Sequence, residues 1–137
     1  MRGLTFRYIW EHTPANRVEH AAHVVVRSLK FGISKKLGVP KAIAQTWSKD
    51  MRKDGKPKMF KYSTMMEFYE GGKVTVSCSC ADHLYRWEYA LAKKNASYIT
   101  YSNGERPANT NPKNIPGCCK HVIALYLDLR KKRMLPK

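Results

Sequence analysis

The four cysteines of this chain fall into two tight groups, Cys78-Ser79-Cys80 and Cys118-Cys119, and the second group leads directly into Lys120-His121. Disulfide-rich secreted domains spread their cysteines along the chain, whereas clustered cysteines beside a histidine in a protein that is not exported favour a metal. Met1-Arg2-Gly3 opens onto no signal-peptide pattern, so an intracellular protein is expected. A structural Zn²⁺ takes four ligands in a tetrahedron, usually thiolates and imidazoles. Two ligand pairs are on offer here: Cys78 with Cys80, and Cys119 with His121. Ligands so far apart in sequence can meet only if the chain returns on itself, and that limits the folds open to it.

Local patterns place each pair on an element. Residues 73–78 alternate, so Val74, Val76, Cys78 and Cys80 share one strand face, and both sulfurs project the same way at the strand's end. Glu70-Gly71-Gly72 is the tight turn of a hairpin whose first arm comes from strand material at 59–62 and 65–69. Residues 119–133 predict a helix with Val122, Leu125, Tyr126 and Leu129 as its apolar stripe and a basic last turn. The positive N-terminus of that helix favours a thiolate.

The remaining segments read as follows. Residues 4–10 alternate and predict a strand. Thr13-Pro14 predicts a helix start, with Val18, Ala21, Ala22, Val25 and Leu29 at helical spacing and Gly32 as the stop. A second helix is expected from Val39-Pro40, with Ile43, Trp47 and Met51 on one face and Asp54-Gly55 ending it. Asp82 is placed to cap a short helix ending near Asn95. Residues 98–101 predict a strand leading into Asn103-Gly104, and 106–117 an irregular loop. The expected class is α+β. Residues 1–58 are read as a basic N-terminal part with a strand and two helices, and 59–137 as the zinc-binding part.

The order Cys-x-Cys, a long spacer, then Cys-x-His ahead of an apolar helix resembles the SWIM zinc finger family. The residues that carry the likeness are VTVSCSC, then 38 residues, then CKHVIALYL. They span about residues 65–130. The resemblance implies a ββα unit in which one structural zinc joins a hairpin to the following helix through Cys78, Cys80, Cys119 and His121. The spacer is long for that family, so 81–117 is read as an insertion. Cys118 is extra; only Cys119 has the histidine two residues on, so Cys118 is expected to pack nearby without binding metal. Four protein ligands leave no open position for water, so the zinc is expected to be structural and not catalytic. Three thiolates and a neutral imidazole leave one net negative charge, which Lys120 and Lys73 are placed to offset.

Charge speaks to partners rather than to fold. The chain has 26 Lys and Arg against 10 Asp and Glu, a formal net charge of +16. Such an excess concentrates polyanions around the protein. Candidate nucleic-acid contacts are Lys35, Lys36, Lys49, Arg52, Lys53, Lys56 and Lys58, with Trp47, Phe60 and Tyr62 interleaved, and the C-terminal cluster Arg130, Lys131, Lys132 and Arg133. The plainer reading has solvated lysines, a core Trp47 and cations that merely complement a helix C-terminus. His20 and His23 read as surface histidines, since no further ligand accompanies them. No apolar run approaches the ~20 residues of a bilayer span.

No paired carboxylates, nucleophile motif or open metal position stand out, so no enzymatic activity is expected. Two functions remain. The first is a non-enzymatic, zinc-stabilised structural or interaction module in a larger assembly such as a virus or phage particle. Its partners would be protein subunits, its location the virion, and its basic surface would contact DNA. The second is a free-standing DNA- or RNA-binding zinc-finger protein.

Overall fold

The computed structural model of the chain describes residues 3–35, 38–51, 57–94, 96 and 115–136. They form strand β1 (Leu4–Thr5), helices α1 (Phe6–Glu11) and α2 (Ala15–Ala21), strands β2 (Val25–Ile33), β3 (Pro40–Met51), β4 (Pro57–Phe68) and β5 (Lys73–Cys78), and helices α3 (Glu88–Lys93) and α4 (Lys120–Lys131). The strands make one antiparallel sheet in the order β1-β5-β4-β3-β2. The expected α+β class holds, with more strand than the helical spacings suggest. Pairing of β3 with β4 carries the sheet across the 58/59 division drawn from sequence.

Residues expected as the second helix form strand β3, which lies between β4 and β2 in the sheet. Ile43, Trp47 and Met51 lie four residues apart, which suits one face of a helix and equally one face of a strand, because four is a multiple of two. The other parity decides. Ala42, Ala44, Thr46 and Ser48 are small and buried, a period-two row that a helix would scatter around its circumference. Pro40 is tolerated as the first residue of the strand.

The expected first helix also ends early. α2 stops at Ala21, and the β-branched run Val24-Val25-Val26 leads into edge strand β2. Thr13 is not its N-cap: Pro14 holds that position. The Thr13 hydroxyl instead donates to the Ile9 carbonyl at 2.7 Å and accepts from the Cys118 amide at 3.1 Å. At residues 4–10 the expected strand shrinks to Leu4–Thr5. Thr5 caps α1 by accepting from the Tyr8 amide at 3.2 Å, and Phe6 and Ile9, three apart, turn into the core. Strand material at 59–62 and 65–69 is one strand, β4.

The β4–β5 turn forms as expected, with Gly71 (φ 75°) and Gly72 (φ 73°) in the left-handed region that glycine favours. Asp82 begins the insertion's helix, but its side chain makes no cap. A π-helical turn over His83–Trp87 comes first and α3 follows. The strand expected at 98–101 and the Asn103-Gly104 turn lie outside the described residues.

One face of the sheet carries the core. α4 lies across it, burying Val122, Ile123, Leu125 and Leu129 against Ala42, Ala44, Met66, Val74 and Val76. Alanines on β3 let the helix backbone come close. Tyr126, expected in the apolar stripe, is half-buried and stacks on Phe6 at 4.0 Å. The helix closes with Arg133 at φ 56°, the Met134 amide donating to the Leu129 carbonyl at 2.9 Å and the Arg133 amide to Arg130 at 3.1 Å, a Schellman motif. Among the described residues no helix is long and apolar enough to cross a membrane.

Candidate metal centre

β5 delivers Cys78 as its last residue, and Cys80 follows two positions on with both side chains buried. Ser79 between them is tied to β4: its amide donates to the Ser63 carbonyl at 3.0 Å, and its hydroxyl accepts from the Ser63 amide at 2.9 Å. The two cysteines are thus anchored on the hairpin they follow. On the other side Cys119 is the N-cap of α4, and its side chain makes no capping hydrogen bond. His121 is the second residue of the helix.

Gly117 sets the approach to that helix. A Cβ there would lie 3.0 Å from the His12 carbonyl oxygen and 3.0 Å from the Trp87 ring, so a side chain would push the segment away.

One ligand atom from each of Cys78, Cys80, Cys119 and His121 lies within 4.8 Å of all the others. Relative exposures of 2%, 3%, 0% and 2% leave the cluster closed to bulk water. Zn–S bonds of about 2.3 Å imply tetrahedron edges of about 3.8 Å, so the four atoms need close only slightly around an ion. They are able to hold one metal ion.

Hydrogen bonding around the cluster fits that use. His121 Nε2 is 2.7 Å from Ser48 Oγ, while buried Nδ1 has no hydrogen-bond partner among the described residues. A bound ion would take Nδ1, leaving Nε2–H to donate to Ser48, the arrangement that fixes tautomer and ring orientation in metal-bound histidines. Tyr62 packs on the imidazole with ring centroids 4.8 Å apart. Thr64 Oγ1 lies 3.4 Å from Cys78 Sγ and 2.8 Å from Thr46 Oγ1. A Cys78 thiolate can only accept, so Thr64 would donate to it and Thr46 to Thr64. The His83 amide points at Cys80 Sγ at 3.4 Å.

The thiols differ in acidity. Burial disfavours the Cys78 thiolate, but hydrogen bonds from Cys119, Cys80 and Thr64 outweigh it and hold this thiol well below its ordinary value. Burial, and then the proximity of Cys78 and Cys80, hold Cys119 well above. Nearby, Arg17 donates to both Asp82 carboxylate oxygens at 2.8 and 3.3 Å. That contact raises the Arg17 pKa, with the Cys119 and Cys80 sulfurs adding to the effect.

Cys118 stands apart. Its sulfur is 3.5 Å from the Thr13 hydroxyl, and burial pushes its thiol up to about 12. A thiol held neutral in this way is inert, and it takes no part in the cluster. His83, which the sequence reading passed over, is fully buried with neither ring nitrogen hydrogen-bonded among the described residues. Desolvation lowers its pKa to about 4. It is not among the converging ligands.

The expected basic contacts do not form one group. Lys35 is exposed just past the end of β2, and Lys49 and Lys58 are exposed at neighbouring register positions on β3 and β4; Arg130, Lys131, Lys132 and Arg133 are exposed at the far end of α4. The helix separates them from the cluster by about 18 Å at 1.5 Å per residue. Lys132 bonds Asp128 at 2.9 Å. Lys36, Arg52, Lys53 and Lys56 lie outside the described residues. Trp47 is half-buried on the sheet face away from α4, with Lys61 Nζ 5.8 Å from its ring. His20 and His23 are exposed. The sequence reading had no means of finding Ser48 or Thr64: they lie 73 and 14 residues from their partners, and neither type is a metal ligand by default.

Compared with protein-family models, curated proteins and solved structures, the chain matches none of them.

Proposed function

We propose that this chain is a non-enzymatic, zinc-stapled interaction module, SWIM-like in its ligand order, that serves as a small component of a larger assembly. The convergence of Cys78, Cys80, Cys119 and His121 in one buried cluster carries the reading. Three thiolates and an imidazole are a common structural zinc set, and soft sulfur ligands argue against Mg²⁺ or Ca²⁺. Protein fills all four positions, which leaves the ion no place to activate water. The ion would join the β4–β5 hairpin to α4 across residues 81–118.

An assembly role has its own support. Edge strand β2 displays Val25, Phe31 and Ile33 at 39%, 38% and 65% exposure, apolar surface suited to covering by protein subunits, and a virus or phage particle is such an assembly. Two measurements test the proposal. Cys80→Ser lowers the zinc content of the purified protein and unfolds its C-terminal half; full zinc retention removes Cys80 from the site. Native chain co-sediments stoichiometrically with a large particle; chain found free and monomeric contradicts the assembly role.

A further inference from the structure

β3 and β4 outrun their neighbours in the sheet. β2 pairs with β3 only as far as Trp47, and β5 pairs with β4 only from Thr64 onward. Among the described residues, 48–51 and 57–60 therefore pair only with each other, as a two-stranded ribbon beyond the body of the sheet. Lys58, Phe60 and Tyr62 share the parity of core residues Thr64 and Met66, so they face the side on which α4 lies.

A cleft of about 500 Å³ opens there, beside the metal ligands Cys80, Cys119 and His121. Phe60 and Tyr62 form one wall, with ring centroids 6.5 Å apart and planes at 30°. Arg17 and His20 of α2 also line the cleft. Lys58, exposed two residues before Phe60, has its Nζ 5.7 Å from the Phe60 ring. Among the described residues Asp82 is the only carboxylate lining the cleft, and Arg17 engages it. The recess has the size of a small-ligand site, a flat aromatic wall and cations at its edge, in a chain of net charge +16.

From this geometry we infer that the cleft takes an unpaired base of a single-stranded nucleic acid. The base stacks on Phe60, and the adjoining phosphate is met by Lys58. Sequence-tolerant binding of single strands combines the same two elements, a cationic track and an aromatic platform. Bases in a duplex have both faces covered by their neighbours and cannot reach a ring set inside a recess. Tyr62, beside Phe60 in that wall, packs on His121 with ring centroids 4.8 Å apart. The inference rests on the interaction-module reading and adds the partner's chemistry.

The test titrates zinc-loaded full-length chain into fluorescein-labelled oligothymidylate, oligouridylate and a duplex of equal length at low salt, followed by fluorescence anisotropy. Single strands bind more tightly than the duplex, and affinity falls steeply with added salt. Phe60→Ala weakens binding about tenfold or more, while Phe60→Tyr retains it. Lys58→Glu weakens binding more than Lys93→Glu, an equal charge change on exposed α3. Zinc content and circular dichroism confirm that each variant is folded. Unchanged affinity in Phe60→Ala, a duplex bound as tightly as the single strands, or a mononucleotide that matches the oligonucleotide overturns the assignment. Absence of all binding by zinc-loaded protein also overturns it and leaves the zinc-stapled reading intact. A protein that binds oligonucleotides but contains no metal has the converse meaning.

Discussion

The two ends of α4 are held to the same sheet by different physics. At its N-terminus the contacts are polar and sulfur-rich: Cys119 and His121 face Cys78 and Cys80, with Ser48 and Thr64 in support. Toward its C-terminus the contacts are apolar and aromatic. Tyr126 stacks on Phe6 at 4.0 Å with planes at 19°, and Trp10 meets both rings edge-on at 6.0 and 6.4 Å. The apolar end gains from burial whatever ions are present. At the other end three sulfurs and an imidazole are buried, a costly arrangement unless a cation ties them together. With a metal ion bound, the helix would have one anchor that depends on solution conditions and one that does not.

Breaking the metal anchor has the largest expected effect. Cys119→Ser lacks one ligand, and zinc binding contributes on the order of 10 kcal/mol in small structural sites, comparable with the whole stability of a domain. That variant is expected to lose zinc and helical circular dichroism at neutral pH, as is wild type treated with a strong chelator. Breaking the aromatic anchor costs less. Phe6→Ala is expected to destabilise by about 3–5 kcal/mol in thermal or denaturant unfolding, with zinc content unchanged because Phe6 packs on Trp10 and on Tyr126 of α4.

Acid sharpens the contrast through His83. Its pKa falls from 6.5 in an open chain to about 4 in the fold, so the unfolded state binds more protons between those values. Stability from this group is complete above pH 6.5 and declines as pH falls toward about 4, by about 3 kcal/mol in all. Comparing wild type with His83→Leu over this range isolates the effect, since the variant lacks that part of the acid dependence. The smallest effect expected is at Ser48. Ser48→Ala leaves His121 in place but frees its ring, and zinc affinity measured by chelator competition falls about 10–100-fold.

The cluster of candidate metal ligands was legible from sequence because ligand chemistry is local. Cys-x-Cys at a strand end and Cys-x-His at a helix start each announce themselves within three residues, and both elements form where expected. β3 was not legible in the same way. Its i, i+4 apolar spacing satisfies two periods at once, and only tertiary contact with α4 reveals that Ala42, Ala44, Thr46 and Ser48 form the working face. The strand expected at residues 4–10 failed for a related reason. Phe6, Ile9 and Trp10 also carry helical spacing, and Thr5 is an N-cap. Cys118 contacts Thr13, a residue 105 positions away. Long-range pairs of this kind leave no trace in composition or periodicity.

The central claim is that one zinc ion sits among Cys78, Cys80, Cys119 and His121, and X-ray absorption at the zinc edge of the purified chain tests it most directly. The account predicts one zinc per chain, with about three sulfurs at about 2.3 Å and one nitrogen at about 2.0 Å. A protein without zinc, or a coordination shell of oxygen and nitrogen lacking sulfur, would contradict it.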